Sequence, residues 1–182
     1  MLKKFTFIFC FAVLASYTTS VFAADNTIGF QFRVPFQATS DHNIGNVNGR
    51  SIVLSFFLDQ ETEIGILSET ANLLDKTPGA GSVTGYDVTA LRIAKNISTG
   101  PVPVYVGMHL GNMNAQNGTG SSGASTMADI FAGVRLLTSK GKVASFLGVE
   151  LDYRIAKPAL TGGTAIKDMG GMMLNLSAGL NF

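Results

Sequence analysis

The chain has 182 residues, of which 13 are Lys or Arg and 12 are Asp or Glu, so its formal net charge is only +1. This balance lacks the basic excess that binding to nucleic acid needs, and we expect no nucleic-acid partner. The length suits about one domain. A single cysteine excludes an internal disulfide.

The first 23 residues have the pattern of a secretory signal peptide. Lys3 and Lys4 precede an apolar run over residues 5–14, and Val21 and Ala23 occupy the −3 and −1 positions of a cleavage site. A retained anchor helix is the alternative, but the run falls short of the ~20 residues that a span requires. We therefore predict a cleaved signal peptide over 1–23 and an exported domain over 24–182.

The exported part consists of apolar-rich runs in which every second residue is apolar. A period of two is the period of a β-strand with one apolar and one polar face. No amphipathic helical pattern separates the runs, so the fold class is predicted to be all-β. The runs cover residues 28–36, 51–58, 63–72, 85–94, 103–111, 128–137, 143–155 and 172–182.

The connectors between these runs alternate in length. Long connectors follow the first, third, fifth and seventh runs, and short ones follow the second, fourth and sixth. Short turns on one rim and long loops on the other are typical of a bacterial outer-membrane barrel. We predict an eight-stranded, antiparallel, up-and-down transmembrane β-barrel with its four long loops outside the cell.

The alternation alone does not show which face contacts water, since a soluble ligand-binding barrel has the same period with an apolar interior. The positions of the lysines favour the membrane alternative. Five of the six lysines after residue 23 fall in connectors and Lys95 ends a run, whereas soluble β-proteins place lysine along outer strand faces. The apolar face is therefore expected to contact outer-membrane lipid.

The last run closes on a terminal phenylalanine, and in this it resembles the insertion signal of outer-membrane barrels. The matching residues are Leu174, Leu176, Ala178, Leu180 and Phe182. In length and pattern the chain resembles the small eight-stranded barrels of the OmpA membrane-domain, OmpX and OmpW kinds. The resemblance implies that the barrel-assembly machinery recognises this strand during biogenesis.

One departure from that family is the absence of tryptophan, which these barrels usually carry at the membrane interfaces. Other aromatic residues would then have to form the girdles. The candidates are Phe30, Phe32, Phe36, Phe56, Tyr153 and Phe182.

The polar face carries charges of both signs, which fits either an internal salt-bridge network that plugs the lumen or a charged constriction that selects solutes. The strand over residues 85–94 can be oriented in two ways. In one, Arg92 faces lipid; in the other, Arg92 faces the interior and Asp87 faces outward near the loop rim. We predict the second orientation. Arg135 and Arg154 are expected to neutralise Asp129 and Asp152. The predicted network is Arg33, Glu69, Arg92, Asp129, Arg135, Glu150, Asp152 and Arg154.

The sequence offers little for catalysis. His42 stands in a loop beside Ser40 and Asp41, where sequence neighbours do not form a nucleophile and base. His109 is expected to fill the lumen, and Gly111 replaces the serine of the His-x-Ser pair that outer-membrane lipid deacylases carry. The acids are too scattered to predict a metal cluster. We expect no enzyme, no metal and no cofactor.

The loops are the remaining functional surface. Residues 114–125 are small, polar and glycine-rich, so we expect a mobile exterior loop that either binds an unknown ligand or receptor or is a solvated connector. The predicted function is that of a structural and surface-interaction element displaying exterior loops. The alternative is a passive, porin-like channel for small or apolar solutes.

Overall fold

The computed structural model of the protein describes residues 28–37, 47–59, 61–73, 83–98, 102–117, 122–137, 143–158 and 169–182. These residues form eight strands and, among them, no helix that is long and apolar enough to cross a membrane. The strands are β1 Ile28–Gln37, β2 Val47–Phe57, β3 Thr62–Leu73, β4 Val83–Ser98, β5 Val104–Asn117, β6 Ser122–Leu137, β7 Ala144–Ala156 and β8 Gly171–Asn181.

Each strand pairs antiparallel with the next, and β8 pairs with β1 to close the barrel. At the seam the Phe182 N–H donates to the Ile28 carbonyl at 2.8 Å, and the Ile28 N–H donates back. Closure leaves no edge strand unpaired. The predicted all-β, eight-stranded, up-and-down barrel is confirmed.

Inward and outward side chains alternate along the strands, except at the start of β4, where the pairing register shifts between Val83 and Gly85 and both Val83 and Tyr86 are buried. In β7 the residues from Phe146 to Ala156 alternate regularly between buried and exposed positions, as the period of two predicts. The outward residues are mostly Ile, Leu, Val and Phe, and all six girdle aromatics lie on this outer face. In 85–94 the chosen facing is confirmed, because Asp87 is exposed and Arg92 is buried.

The largest difference from the predicted connectors is at the hairpin between β5 and β6, and β2 also begins earlier than predicted, at Val47. β5 continues to Asn117 and β6 begins at Ser122, so most of the loop predicted over 114–125 is paired sheet. Asn114 pairs with Ala124, and Gln116 with Ser122. The sequence is polar here because the outward side chains of Asn114 and Gln116 are hydrophilic, while Met113 and Ala115 keep the inward face apolar.

Several predictions lie outside the described residues. These are the signal peptide over 1–23 with its cleavage residues Val21 and Ala23, the loop histidine His42, and the long connectors over 38–46, 74–82, 118–121 and most of 157–170.

The interior is less uniformly polar than the sequence suggested. The half of the barrel towards the long connectors holds an apolar cluster, whereas the sequence analysis expected the inward face to be polar. It arises because several inward positions of β2 to β6 carry apolar residues. The cluster is Val53, Leu67, Ala71, Val83, Tyr86, Val88, Ala90, Met113, Ala115, Met127, Ala156 and Met169.

Three inward glycines provide room for large aromatic rings. Each stands directly opposite an aromatic residue on the neighbouring strand, and a Cβ at the glycine would collide with that ring. The aromatic side chain can therefore lie flat across the glycine backbone, which fills a narrow barrel without strain. The pairs are Gly107 with Phe131, Gly133 with Tyr105, and Gly179 with Phe146.

Candidate functional site

The structure places all eight of the predicted lumen charges inside the barrel, each with at most 2% of its surface exposed. It also brings in Glu63, which the sequence analysis missed. Glu63 is the second residue of β3, next to a turn, and so resembles a turn residue in the sequence. It shares the odd-numbered parity of Glu69, and that signal could have identified it. His109 is fully buried among these charges, where it was expected to fill the lumen.

The strand register explains why oppositely charged groups meet. Arg92 on β4 pairs with His109 on β5, His109 with Asp129 on β6, and Asp129 with Arg154 on β7. Directly opposed side chains on one face are about 5 Å apart at Cβ. Four consecutive strands therefore contribute one continuous row of ionisable groups.

One branch of the network joins β1 to β7. The Arg33 Nη2 group lies 2.6 Å from Glu150 Oε1 and 2.8 Å from Asp152 Oδ2. Because β8 lies between these strands, the guanidinium reaches past it through the interior. Arg33 is thus the cation that neutralises Asp152, a role that the sequence analysis assigned to Arg135 or Arg154.

A second branch crosses the lumen. Arg92 Nη2 contacts Glu150 Oε2 on β7 at 2.8 Å, and its Nε contacts Glu63 Oε1 on β3 at 3.1 Å. Glu63 Oε2 also accepts from Arg135 Nη2 on β6 at 2.6 Å. The prediction that Arg135 pairs with Asp129 or Asp152 is therefore wrong, because its guanidinium extends across the lumen to β3 instead of along its own hairpin.

The third branch is built on Arg154. Its guanidinium contacts both oxygens of Asp129, with Nε 3.1 Å from Oδ1 and Nη2 3.1 Å from Oδ2. Its Nη1 donates to Glu69 Oε1 across the lumen at 2.9 Å. The expected pairing of Arg154 with Asp129 is present. Two-point contact of this kind is the geometry for which arginine is suited.

Aromatic rings hold the guanidinium groups in place. The Arg92 guanidinium lies 4.1 Å from the centre of the Phe131 ring, and that of Arg135 lies 4.4 Å from Tyr105 and 5.0 Å from Phe146. These are the three rings that pack over inward glycines. A cation over such a ring gains electrostatic attraction away from water.

The described network nearly balances its own charge. It has four arginines, 33, 92, 135 and 154, against five carboxylates, 63, 69, 129, 150 and 152, with His109 as a further titratable group. A buried charge is costly unless it is paired. Every arginine contacts a carboxylate. The first two branches meet at Glu150, and His109, between Arg92 and Asp129, connects the third branch to them.

One point of the network has the composition of a metal site. Ligand atoms of His109, Asp129 and Asp152 lie within 4.8 Å of one another, so the expectation that the acids are too scattered to form a metal-ligand cluster is wrong. Arg92 Nη1 lies 2.9 Å from His109 Nε2. A guanidinium can only donate, so Nε2 accepts and the Nδ1 atom carries the proton.

That tautomer fits a metal poorly. Nδ1 faces Asp129 Oδ2 at 3.4 Å and Asp152 Oδ2 at 4.0 Å. A metal on Nδ1 would move the proton to Nε2, where it would oppose the Arg92 guanidinium. The geometry therefore suits a histidine that links Arg92 to the aspartates, with the ring stacked against Phe131 at a centroid distance of 4.5 Å.

Two solved structures of bacterial proteins have a similar fold. The N-terminal β-barrel domain of Pseudomonas aeruginosa OprF is similar at a TM-score of 0.51 and 19% identity, over 88% of this chain and 100% of that one. Neisserial surface protein A gives a TM-score of 0.55 and 13% identity, over 88% and 98%. No family model matches the sequence, and curated proteins give no significant match.

Proposed function

We propose that this chain, which has the fold of the small eight-stranded outer-membrane barrels, is itself an outer-membrane protein with a closed lumen that acts as a structural and surface-interaction element. The apolar outer face supports the membrane location. Large apolar side chains such as Phe30, Leu54 and Ile130 are between two-fifths and two-thirds exposed. Only lipid or another apolar partner would remove so much of this surface from water.

The observation that carries the closed lumen is the set of cross-barrel ion pairs. Arg135 to Glu63, Arg92 to Glu150 and Arg154 to Glu69 each join strands that are not neighbours, and all six side chains are buried. Together with the rings of Tyr105, Phe131 and Phe146 they occupy the space through which a solute would pass. This supports a plug in place of a selective constriction.

Polar outer residues support a surface role at the long-connector end. One outward row across β3 to β6 is polar, and the next outward row towards the short connectors is apolar. The polar row consists of Ser68, Thr89, Asn112 and Thr126. The next row towards the long connectors contains Thr70, Asp87 and Asn114. Side chains of this kind belong in water, so these strands would extend beyond the lipid and carry their connectors into the exterior, where an unknown ligand or receptor could bind.

Biogenesis would depend on the barrel-assembly machinery acting on β8. Its outward side chains Leu176 and Leu180, and Phe182 after it, are exposed. They present the alternating apolar face that the resemblance identifies as an insertion signal.

The second candidate function is a passive channel for small or apolar solutes. The apolar interior cluster favours it, because Val88, Met113 and Met127 line the inward face towards the long connectors. The ion network continues from there to Glu63 and Arg135, close to the short-connector ends of their strands. A channel would require this network to open.

Planar-bilayer conductance of the refolded protein tests the proposal. A heat-dependent change in gel mobility first shows that the barrel has formed. We expect no steady conductance in the wild type and transient openings in Arg92→Ala, which removes the contacts to Glu63 and Glu150. Arg50→Ala, at an outward arginine of β2, is the control and should behave as wild type. A stable conductance of the wild type would contradict the closed lumen and favour the passive channel.

A further inference from the structure

The described interior of the barrel holds one more carboxyl group than it holds arginines. Four arginines face five carboxyl groups. His109 does not supply the missing positive charge, because Arg92 Nη1 lies 2.9 Å from its Nε2 atom and that nitrogen has to accept. A buried charge without a partner is costly, and a buried acid avoids the cost by keeping its proton. One of the five carboxyl groups is therefore expected to be neutral.

Asp152 is the least well paired of the five. Its Oδ2 atom lies 2.8 Å from Arg33 Nη2, but the same nitrogen lies 2.6 Å from Glu150 Oε1. Its Oδ1 atom has no hydrogen-bond partner among the described residues. Glu150 has a second arginine, Arg92, at 2.8 Å. Asp152 thus depends on a single nitrogen that it shares with another acid.

Two other acids lie beside Asp152. Glu150 shares the Arg33 nitrogen with it, and a carboxylate oxygen of Asp129 lies within 4.8 Å of one of its own. Asp129 stays ionised because the Arg154 guanidinium contacts both of its oxygens. Like charges this close together and away from water do not all ionise, so the repulsion acts on Asp152.

The remaining acids are better paired. Glu63 accepts from both Arg92 and Arg135. Glu69 has one oxygen without a partner in the described part of the chain, but its other oxygen accepts from Arg154 Nη1 at 2.9 Å. Asp129 contacts that guanidinium through Nε and Nη2, which leaves Nη1 to Glu69.

The surroundings of Asp152 therefore combine cations that are already engaged with acids that stay ionised. On β8 its neighbour Met173 carries no charge. The charged and titratable groups that face it are Arg33 on β1, His109 on β5, Asp129 on β6, and Glu150 and Arg154 on β7.

We propose that Asp152 is a proton-binding site in the lumen, and that its bound proton completes the charge balance of the plug. A neutral carboxyl group still accepts from Arg33 through its carbonyl oxygen, while the Arg33 charge is left to Glu150. The site deepens the proposed function and rests on it, because the network that closes the lumen is what keeps water from this carboxyl group. In the unfolded chain the proton would be released at neutral pH, where an aspartate in water is ionised.

Infrared spectroscopy tests the proton directly. The barrel carries ¹³C in its aspartate carboxyl groups and is refolded in vesicles of an ether-linked phosphatidylcholine, which has no ester carbonyl. At neutral pH the wild type should show the carbonyl stretch of one protonated aspartic acid, and Asp152→Asn should lack it. Asp87→Asn, at an exposed aspartate of β4, is the matched control and should keep it. Absence of the band from the wild type, or its persistence in Asp152→Asn, would overturn the site.

The pH dependence of urea unfolding gives a second measurement. Folding takes up one proton in the wild type and none at this position in Asp152→Asn. From about pH 7 to about pH 5 the unfolding equilibrium constant of the wild type should fall about tenfold per pH unit relative to that of Asp152→Asn. Asp87→Asn should follow the wild type. Parallel curves for the wild type and Asp152→Asn would contradict the site.

Asp152→Asn should fold, because an amide has the shape of the neutral acid and can accept from Arg33 in the same way. Failure of this variant to give a heat-modifiable barrel would also overturn the proposal. Bilayer conductance separates the proton site from the proposed function. A barrel that conducts steadily and lacks the band contradicts both, whereas a barrel that does not conduct and lacks the band overturns the proton site alone.

Discussion

Arg154→Met should destabilise the barrel more than Arg135→Met does, because only the first leaves a carboxylate without an arginine. The substitution keeps the side-chain volume but removes the guanidinium that contacts Glu69 at 2.9 Å and both oxygens of Asp129. In the described part of the chain Glu69 has no other ion-pair partner. Breaking a buried pair and leaving a charge without its partner costs about 3–5 kcal/mol.

Arg135→Met is the matched comparison. Arg135 contacts Glu63, but Glu63 keeps a second contact to Arg92 at 3.1 Å. The loss is then that of one hydrogen bond to a charged group, about 1.5–3 kcal/mol. We therefore expect Arg154→Met to cost about 2 kcal/mol more than Arg135→Met. Adding Glu69→Gln to Arg154→Met should recover part of the loss, because the unpaired charge disappears.

The assay is reversible urea unfolding in lipid vesicles, followed by far-ultraviolet circular dichroism because the chain has no tryptophan. Gel mobility without heating gives an independent folded fraction. If Arg154→Met costs no more than Arg135→Met and Glu69→Gln gives no rescue, then water or another group satisfies Glu69 and the network does not fill the lumen as described.

Three further predictions concern other parts of the barrel. Gly133→Ala would place a Cβ 2.5 Å from the tyrosine ring that packs over this glycine, and should cost about 1–3 kcal/mol in the same unfolding assay; an unchanged midpoint would contradict the packing. Ile130→Arg puts a charge on the outer face and should cost about 2–4 kcal/mol in vesicles if it lies near the midplane; a neutral effect would argue against lipid contact. Hydrogen bonds from the backbone N–H groups of residues 61 and 62 lower the pKa of Asp59 below its ordinary value of 3.8. Ionised Asp59 therefore stabilises its turn above that value and loses the effect as the pH falls, which an NMR titration of these amides should show and Asp59→Asn should abolish.

The alternation of the strands could be predicted from the sequence because it has one dominant cause. Each strand separates an apolar face from an interior face, so within a regular strand the period of two determines the facing of the other residues once one is known, and the exception is the register shift at the start of β4. Even the ambiguous run over 85–94 follows, since a buried Arg92 can find acids and an outward Asp87 can bond to the Gln116 amide at 2.8 Å.

The ion-pair partners could not be predicted in the same way. Arg135 meets Glu63 because both side chains reach across the lumen, and this depends on the diameter and register of the closed barrel. His109, Asp129 and Asp152 lie on the neighbouring strands β5, β6 and β7, so their contact depends on the pairing register, which the alternation of apolar residues does not reveal. The extension of β5 and β6 was missed because a strand with a polar outer face has the amino-acid composition of a loop. Only the pairing of two such strands distinguishes a strand from a loop.

A thiol-accessibility scan of β2 in lipid vesicles tests the account most directly. In a Cys10→Ser background, Ile52→Cys and Leu54→Cys place thiols on the outer face, and Ser51→Cys and Ser55→Cys place them inside. The outer thiols should react with a lipid-soluble maleimide and not with a water-soluble one. The inner thiols should resist both reagents, because the interior is filled. Rapid reaction of the inner thiols with the water-soluble reagent would show an open lumen, and the same reaction at the outer thiols would show that this face does not contact lipid.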